Sequence, residues 1–232
     1  ITTLSEGSTT VTVWLRDNAG NLIAETERTV TVDTTRPAVS VNADGTVVGP
    51  TQTSSVNVTV DDQTLNTTTA TLVNSNETVV ETIDLTDRAA DGQATVRVDA
   101  TANGDRLASG TYTLKVTAVD EAGRSADVVD SVTIDTTAPA ASNLDITGTV
   151  RTTGTDYLNA TGSLTVTATV TDAGASNVSS ATVVLVSQAA TYNATKTLDL
   201  DADGSFSSTL TREDAPAGEY TVAVRATDAA GN

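Results

Sequence analysis

Three stretches of this chain align without gaps. Gly7–Asn21 reads GSTTVTVWLRDNAGN, Gly110–Arg124 reads GTYTLKVTAVDEAGR and Gly218–Asn232 reads GEYTVAVRATDAAGN. Each opens on Gly, alternates apolar with polar residues, and reaches Asp-x-Ala-Gly ten residues later. A second marker, Asp-Thr-Thr-x-Pro, recurs 102 residues apart at Asp33–Pro37 and Asp135–Pro139. A third, Asp-Gly, stands at Asp91-Gly92 and Asp203-Gly204. A period of 102–108 residues is the length of one β-sandwich domain per repeat.

Period-two alternation supplies the strands within each repeat. In the first complete repeat it predicts strand A near Ala38–Asn42, B at Ser55–Asp61, C at Thr69–Val73 and D at Thr78–Leu85. Strands E (Gln93–Asp99), F (Thr111–Val119) and G (Ser125–Ile134) follow. The second repeat gives B at Leu164–Thr171, C at Ala181–Ser187, D at Ala194–Leu200, E at Ser205–Leu210 and F at Glu219–Thr227. No stretch carries a 3.6-residue period, so the expectation is all-β. The X-Pro pairs Arg36-Pro37 and Ala138-Pro139 stiffen the chain just after a strand and mark linkers. Residues 36–137 then form one complete domain. Residues 138–232 form a second that lacks its last strand, and residues 1–35 hold the last two strands (F and G) of a preceding repeat. On this reading Ile1 and Asn232 are cut points in a longer polypeptide.

Composition excludes most chemistry. There is no Cys and no His, which removes thiolate sites, the commonest general base and the usual transition-metal ligands. Thirty acidic residues stand against 12 basic ones, a net charge of −18, which is wrong for neutralising nucleic-acid phosphates. No apolar run is long enough to span a membrane. A carboxylate pair for glycoside hydrolysis would need a desolvating, aromatic-lined cleft, and six aromatic residues are too few to build one. The chain is therefore expected to be non-catalytic. Thr alone contributes 48 residues, and β-branched Thr and Val together make about a third of the chain. Asp outnumbers Glu 22 to 8 and Lys occurs only at Lys115 and Lys196. Such an acidic, Lys-poor surface resembles that of secreted proteins from salt-loving archaea, whose carboxylates stay hydrated while salt screens their repulsion.

Strings such as VTVDTTRPAVSV, VTIDTTAPA, VTAVDEAGR, VRATDAAGN and DLDADGSFS resemble the bacterial-type immunoglobulin-like (cadherin-like) repeats of surface adhesins and S-layer proteins, and with this composition their haloarchaeal versions. The resemblance implies tandem immunoglobulin-like β-sandwich domains of about 100 residues joined by short X-Pro linkers. It also implies an extracellular, structural role as a stalk or lattice segment of a cell-surface glycoprotein. Neighbouring repeats, other copies and cell-surface components would be its partners. A filament or virion-fibre subunit and an accessory domain of a secreted hydrolase are the alternatives. Tyr112 and Tyr220, two residues after the repeated Gly, sit where such sandwiches place a tyrosine corner.

Six sequons occur, at Asn57, Asn66, Asn76, Asn159, Asn177 and Asn193, against about 3.4 expected from the Ser and Thr content. They are candidate N-glycan sites, with Asn66 and Asn177 expected in B–C loops and Asn76 and Asn193 in C–D turns. Asp199–Gly204 matches the first half of an EF-hand loop but has Leu210 where the bidentate Glu belongs, so a hairpin turn accounts for it as well. The linker enters an immunoglobulin-like domain at the end holding its B–C, D–E and F–G loops. That would gather Asp33 with Asp61, Asp62, Asp120 and Glu121, and Asp135 with Asp172, Asp203 and Asp228. Converging carboxylates repel unless a cation neutralises them, and Ca²⁺ needs oxygen ligands only. Calcium at both interdomain junctions is the expectation.

Overall fold

The computed structural model describes residues 5–89, 92–148, 150–152, 155–157, 163–187, 193–211 and 218–232. It opens on a hairpin of β1 (Gly7–Arg16) and β2 (Leu22–Val32). The first sandwich follows, with β3 (Ala38–Asn42), β4 (Val47–Val48), β5 (Thr53–Asp61), β6 (Leu65–Val73) and β7 (Val79–Asp84), then the one-turn helix α1 (Thr86–Ala89). It continues through β8 (Gln93–Asp99), the short pair β9 (Thr101–Ala102) and β10 (Asp105–Arg106), then β11 (Gly110–Asp120) and β12 (Ser125–Ile134). The remainder comprises β13 (Ala140–Thr147), β14 (Val150–Thr152), β15 (Thr155–Tyr157), β16 (Ser163–Thr171), β17 (Val178–Ser187), β18 (Asn193–Thr197), β19 (Ser205–Thr211) and β20 (Tyr220–Asp228).

In the first sandwich a sheet ordered β3-β5-β8 faces one ordered β4-β12-β11-β6-β7. Alternation decides which side chains go between them. Val56, Val58 and Val60 of β5 and Ala94, Val96 and Val98 of β8 point inward, against Ala70 and Leu72 of β6, Tyr112, Leu114, Val116 and Ala118 of β11, and Val132 and Ile134 of β12. The second unit repeats this with β13-β16-β19 against β18-β17-β20, closing on a separate core that includes Val166, Val170, Val183, Leu185, Phe206 and Leu210. In both units the strand expected as D pairs with C, so it belongs to the F-containing sheet.

The single helical turn has no counterpart in the sequence pattern: Asp84 accepts the Thr86 N–H at 2.9 Å and tips the chain into α1, too short to show a period. The small strands β4, β9, β10, β14 and β15, and the leading strand β13, likewise add to the strands that alternation predicts. Tyr112 is buried and donates its hydroxyl to the Ala108 carbonyl at 3.0 Å, the bond of a tyrosine corner. Tyr220 packs against the second core. The β1–β2 hairpin has Thr9, Val11, Val13 and Leu15 where β11 has Tyr112, Leu114, Val116 and Ala118. Among the described residues it pairs with no other strand, and Val13 and Leu15 are more than half exposed.

Tyr112→Phe should cost about 1 kcal/mol, the net worth of one buried hydrogen bond. Leu114→Ala, in the same row, should cost about 2–5 kcal/mol through the cavity it leaves. Urea unfolding checks both; no loss on Tyr112→Phe would mean that the tyrosine contributes by packing alone.

Candidate functional site: aspartate clusters where the linkers meet the sandwiches

The Asp-x-Ala-Gly motif is a five-residue hairpin turn. In Asp120–Arg124 the Gly123 N–H reaches the Asp120 carbonyl at 3.1 Å and the Asp120 N–H reaches the Arg124 carbonyl at 3.0 Å. Gly123 takes φ of 79°, the left-handed conformation that closes such a turn with a bulge. The Asp120 carboxylate locks it by accepting the Arg124 N–H at 2.8 Å. Asp17–Asn21 and Asp228–Asn232 are built the same way. The EF-hand-like stretch also ends in this turn, at Asp201–Ser205, where Asp203 accepts both N–H and hydroxyl of Ser205.

Strand parity delivers these carboxylates to the end of each sandwich. The inward row of β11 runs Tyr112, Leu114, Val116, Ala118 and then Asp120. That of β5 runs Val56, Val58, Val60 and then, one step past the strand, Asp62. In the second unit β20 leads to Asp228 and β16 to Asp172 in the same way. Two groups result. Asp33, Asp62 and Asp120 each place a carboxylate oxygen within 4.8 Å of the others, and so do Asp135, Asp172 and Asp228.

Three residues expected at these junctions stand outside the groups. Asp61 and Glu121 have the opposite parity to their neighbours Asp62 and Asp120 and are exposed. Asp203 is exposed and turned to Ser205.

The linker aspartates are held by matching contacts. Asp33 accepts the Thr35 N–H at 3.1 Å and the Thr64 hydroxyl, while Asp62 accepts the Thr64 N–H at 2.7 Å. Asp135 accepts the Thr137 N–H at 3.0 Å and both N–H and hydroxyl of Ser176, each at 2.6 Å. The residue that ends each F–G turn reaches back to the linker: Arg124 donates to the Thr34 carbonyl, and Asn232 to the Asp135 carbonyl at 3.1 Å. Loops of the two sandwiches also touch directly, since a methyl group on Gly49 would overlap the Ala230 carbonyl.

Two features suit a cation. Asp120 is fully buried, yet its Oδ2 has no hydrogen-bond partner, and Asp172 Oδ2 is a second buried oxygen without one. Among the described residues the ion pair is Lys115–Asp127 at 3.4 Å, so no ammonium or guanidinium neutralises either group. The Thr64 hydroxyl, with help from Thr35, holds the Asp33 carboxyl below its ordinary pKa. Burial pushes the Asp135 carboxyl up, but hydrogen bonds from Ser176, Thr137 and Ser109 outweigh it and hold it low. Both remain anionic at neutral pH, which keeps them available as hard oxygen ligands.

Of the sequons, Asn76 lies in the β6–β7 turn and Asn177 just before β17, both exposed. Asn66 falls inside β6 rather than a loop, though it is exposed, and Asn57 is exposed on β5. Asn193 begins β18. Asn159 lies outside the described residues.

Gly174→Ala should destabilise the second junction by about 1–3 kcal/mol, because the methyl would overlap the buried Asp135 carboxylate. Gly110→Ala, whose methyl meets nothing within 4 Å, should stay within about 0.5 kcal/mol of the parent in the same thermal melt.

Residues 45–122 match the family model of the FlgD Ig-like domain, and residues 138–232 match that of a bacterial Ig-like domain. A comparison with curated proteins found no match. Among solved structures, the tetra-tandem repeat in the extending region of a large adhesion protein aligns over 99% of this chain at 24% identity, with a TM-score of 0.38. Escherichia coli alpha-2-macroglobulin aligns over 97% at 11% identity (TM-score 0.32), and dimeric latent PorU from Porphyromonas gingivalis over 90% at 16% (TM-score 0.31). The chain spans 55%, 18% and 20% of those three chains. With one family match on each core and two facing sheets around each, the chain is an all-β array of tandem immunoglobulin-like β-sandwich domains.

Proposed function

We propose that this chain is a non-catalytic structural segment of a secreted cell-surface protein, an adhesin stalk or surface-layer glycoprotein. Its domains stack end to end, and calcium rigidifies each junction. The observation that carries this reading is the recurrence of one aspartate trio at corresponding positions of both junctions. In each, one carboxylate comes from the linker, one from the loop after strand B and one from the F–G turn. A cation held by Asp33, Asp62 and Asp120 would tie three chain segments together, and one held by Asp135, Asp172 and Asp228 would do the same. Ca²⁺ is the ion of choice because it takes six to eight oxygens in adaptable geometry and needs neither His nor Cys. The acidic exterior, and glycans on exposed sequons, would keep such a segment hydrated in brine, in keeping with a haloarchaeal source.

Calcium titration by calorimetry should find two sites per chain, and Asp135→Ala should leave one. At a hundredfold excess over Kd each site adds about 2.7 kcal/mol, so chelation should lower the melting temperature by several degrees. Small-angle scattering should show the junctions loosening as the ion is removed at fixed ionic strength. Unchanged melting and scattering on chelation would remove calcium from the account and leave the acids as solvated groups.

Glycans are checked separately. Native protein should carry them at Asn66, Asn76, Asn177 and Asn193, and an intact mass equal to the bare polypeptide would refute this.

A further inference from the structure

The outer face of the β3-β5-β8 sheet holds a concavity of about 780 Å³ far from the linker carboxylates in sequence and unlike the rest of the surface in charge. Its floor is set by strand pairing: Ser55 lies opposite Arg97, Asn57 opposite Thr95, and Thr59 opposite Gln93. All six are exposed, being the outward half of the alternation whose inward half is Val56, Val58, Ala94 and Val96. From residue 55 to residue 59 this floor runs about 13 Å. Arg88 of α1 adds a second guanidinium to its wall.

Charge makes this groove unusual. Thirty carboxylates are spread over a chain of net charge −18, yet among the described residues none lines it, while two of only ten arginines do. Among the described residues, neither the Arg88 nor the Arg97 guanidinium donates a hydrogen bond or joins an ion pair. Two free guanidiniums above a floor of hydroxyls and carboxamides can grip planar anions by paired N–H bonds, while the floor exchanges donors and acceptors with a polyol. Among the described residues no aromatic ring or exposed aliphatic anchor lines the groove, so a neutral sugar has no stacking platform and a peptide no hydrophobic hot spot.

We propose that this groove binds an anionic polysaccharide, with its carboxylate or sulfate groups held by Arg88 and Arg97 and its hydroxyls by the Ser55–Thr59 floor. Such a chain could be a foreign polymer or an acidic glycan borne on Asn57, whose sequon partner Thr59 stands beside it on the same floor.

The test uses the full 232-residue chain, produced without glycosylation, against immobilised polygalacturonate, dextran sulfate, neutral dextran and polyglutamate in about 0.1 M salt. At least one of the two anionic polysaccharides should bind, more weakly as salt rises, and neutral dextran should not. Arg88→Gln with Arg97→Gln should weaken binding roughly tenfold or more, with melting unchanged. Arg28→Gln with Arg225→Gln, which removes the same charge elsewhere, should stay within about twofold.

Equal losses in the two double variants, equal binding of polyglutamate, binding of neutral dextran, or no binding of either anionic polysaccharide would each overturn the proposal. Natively glycosylated protein separates the sources. If it binds added polymer as the unglycosylated chain does, the ligand is foreign; if only the unglycosylated chain binds, the groove is filled by the protein's own glycan.

Discussion

An apolar row of a β-strand that ends in a carboxylate sets up a conflict, and the junctions of this protein are arranged around it. Alternation keeps Leu114, Val116 and Ala118 in the core, and the same alternation drives Asp120 into the end of that core. Removing an unpaired charge from water costs several kcal/mol, and like charges within 5 Å of it add to the cost. The surrounding sequence reads as a response. The tight turn turns a backbone N–H onto one oxygen of Asp120, the loop after strand B supplies Thr64 to Asp33 or Ser176 to Asp135, and Gly174 leaves room for the Asp135 carboxylate. What stays unsatisfied, chiefly Asp120 Oδ2, lies where the linker, the B–C loop and the F–G turn meet.

Parity also explains how far the sequence could be read. Strands B, E, F and G of the first sandwich follow from alternation because each is long and buried on one face. For Asp61 and Asp62 the deciding fact is which one continues the row Val56, Val58, Val60; counting by twos selects Asp62, and the same count separates Asp120 from Glu121. Proximity in sequence alone cannot make that distinction. Other features leave no periodic trace. A two-residue strand such as β4 and a four-residue helix such as α1 are shorter than the windows that reveal a period. The side of the sandwich taken by the strand after C depends on which neighbour it pairs with, which alternation does not encode. Arg88 and Arg97 meet across a groove only because α1 packs against β8, and no local pattern announces that meeting.

The two sandwiches keep separate cores. Ala230, in the F–G turn of the second unit, is nevertheless almost wholly buried, and its carbonyl lies against Gly49 of the first. Gln52 approaches Gly231 in the same region. Loops at the head of one domain thus complete their burial on the tail of the other, which couples the two units.

The parallel pairing of β4 with β12 bears on how the first sandwich responds to tension. The chain enters this sandwich through β3 just after Pro37 and leaves it at Asp135, directly after β12. Because β4 and β12 run in the same direction, a pull on the two ends drags them past each other along their common axis. The bonds from Thr133 to the Thr46 carbonyl and from Asp135 to the Val48 carbonyl, each 2.9 Å, must then fail together in shear instead of peeling open one after another. The last of them belongs to the residue whose carboxylate anchors the next domain, so stress arriving through the linker falls first on the strand pair whose geometry resists it best.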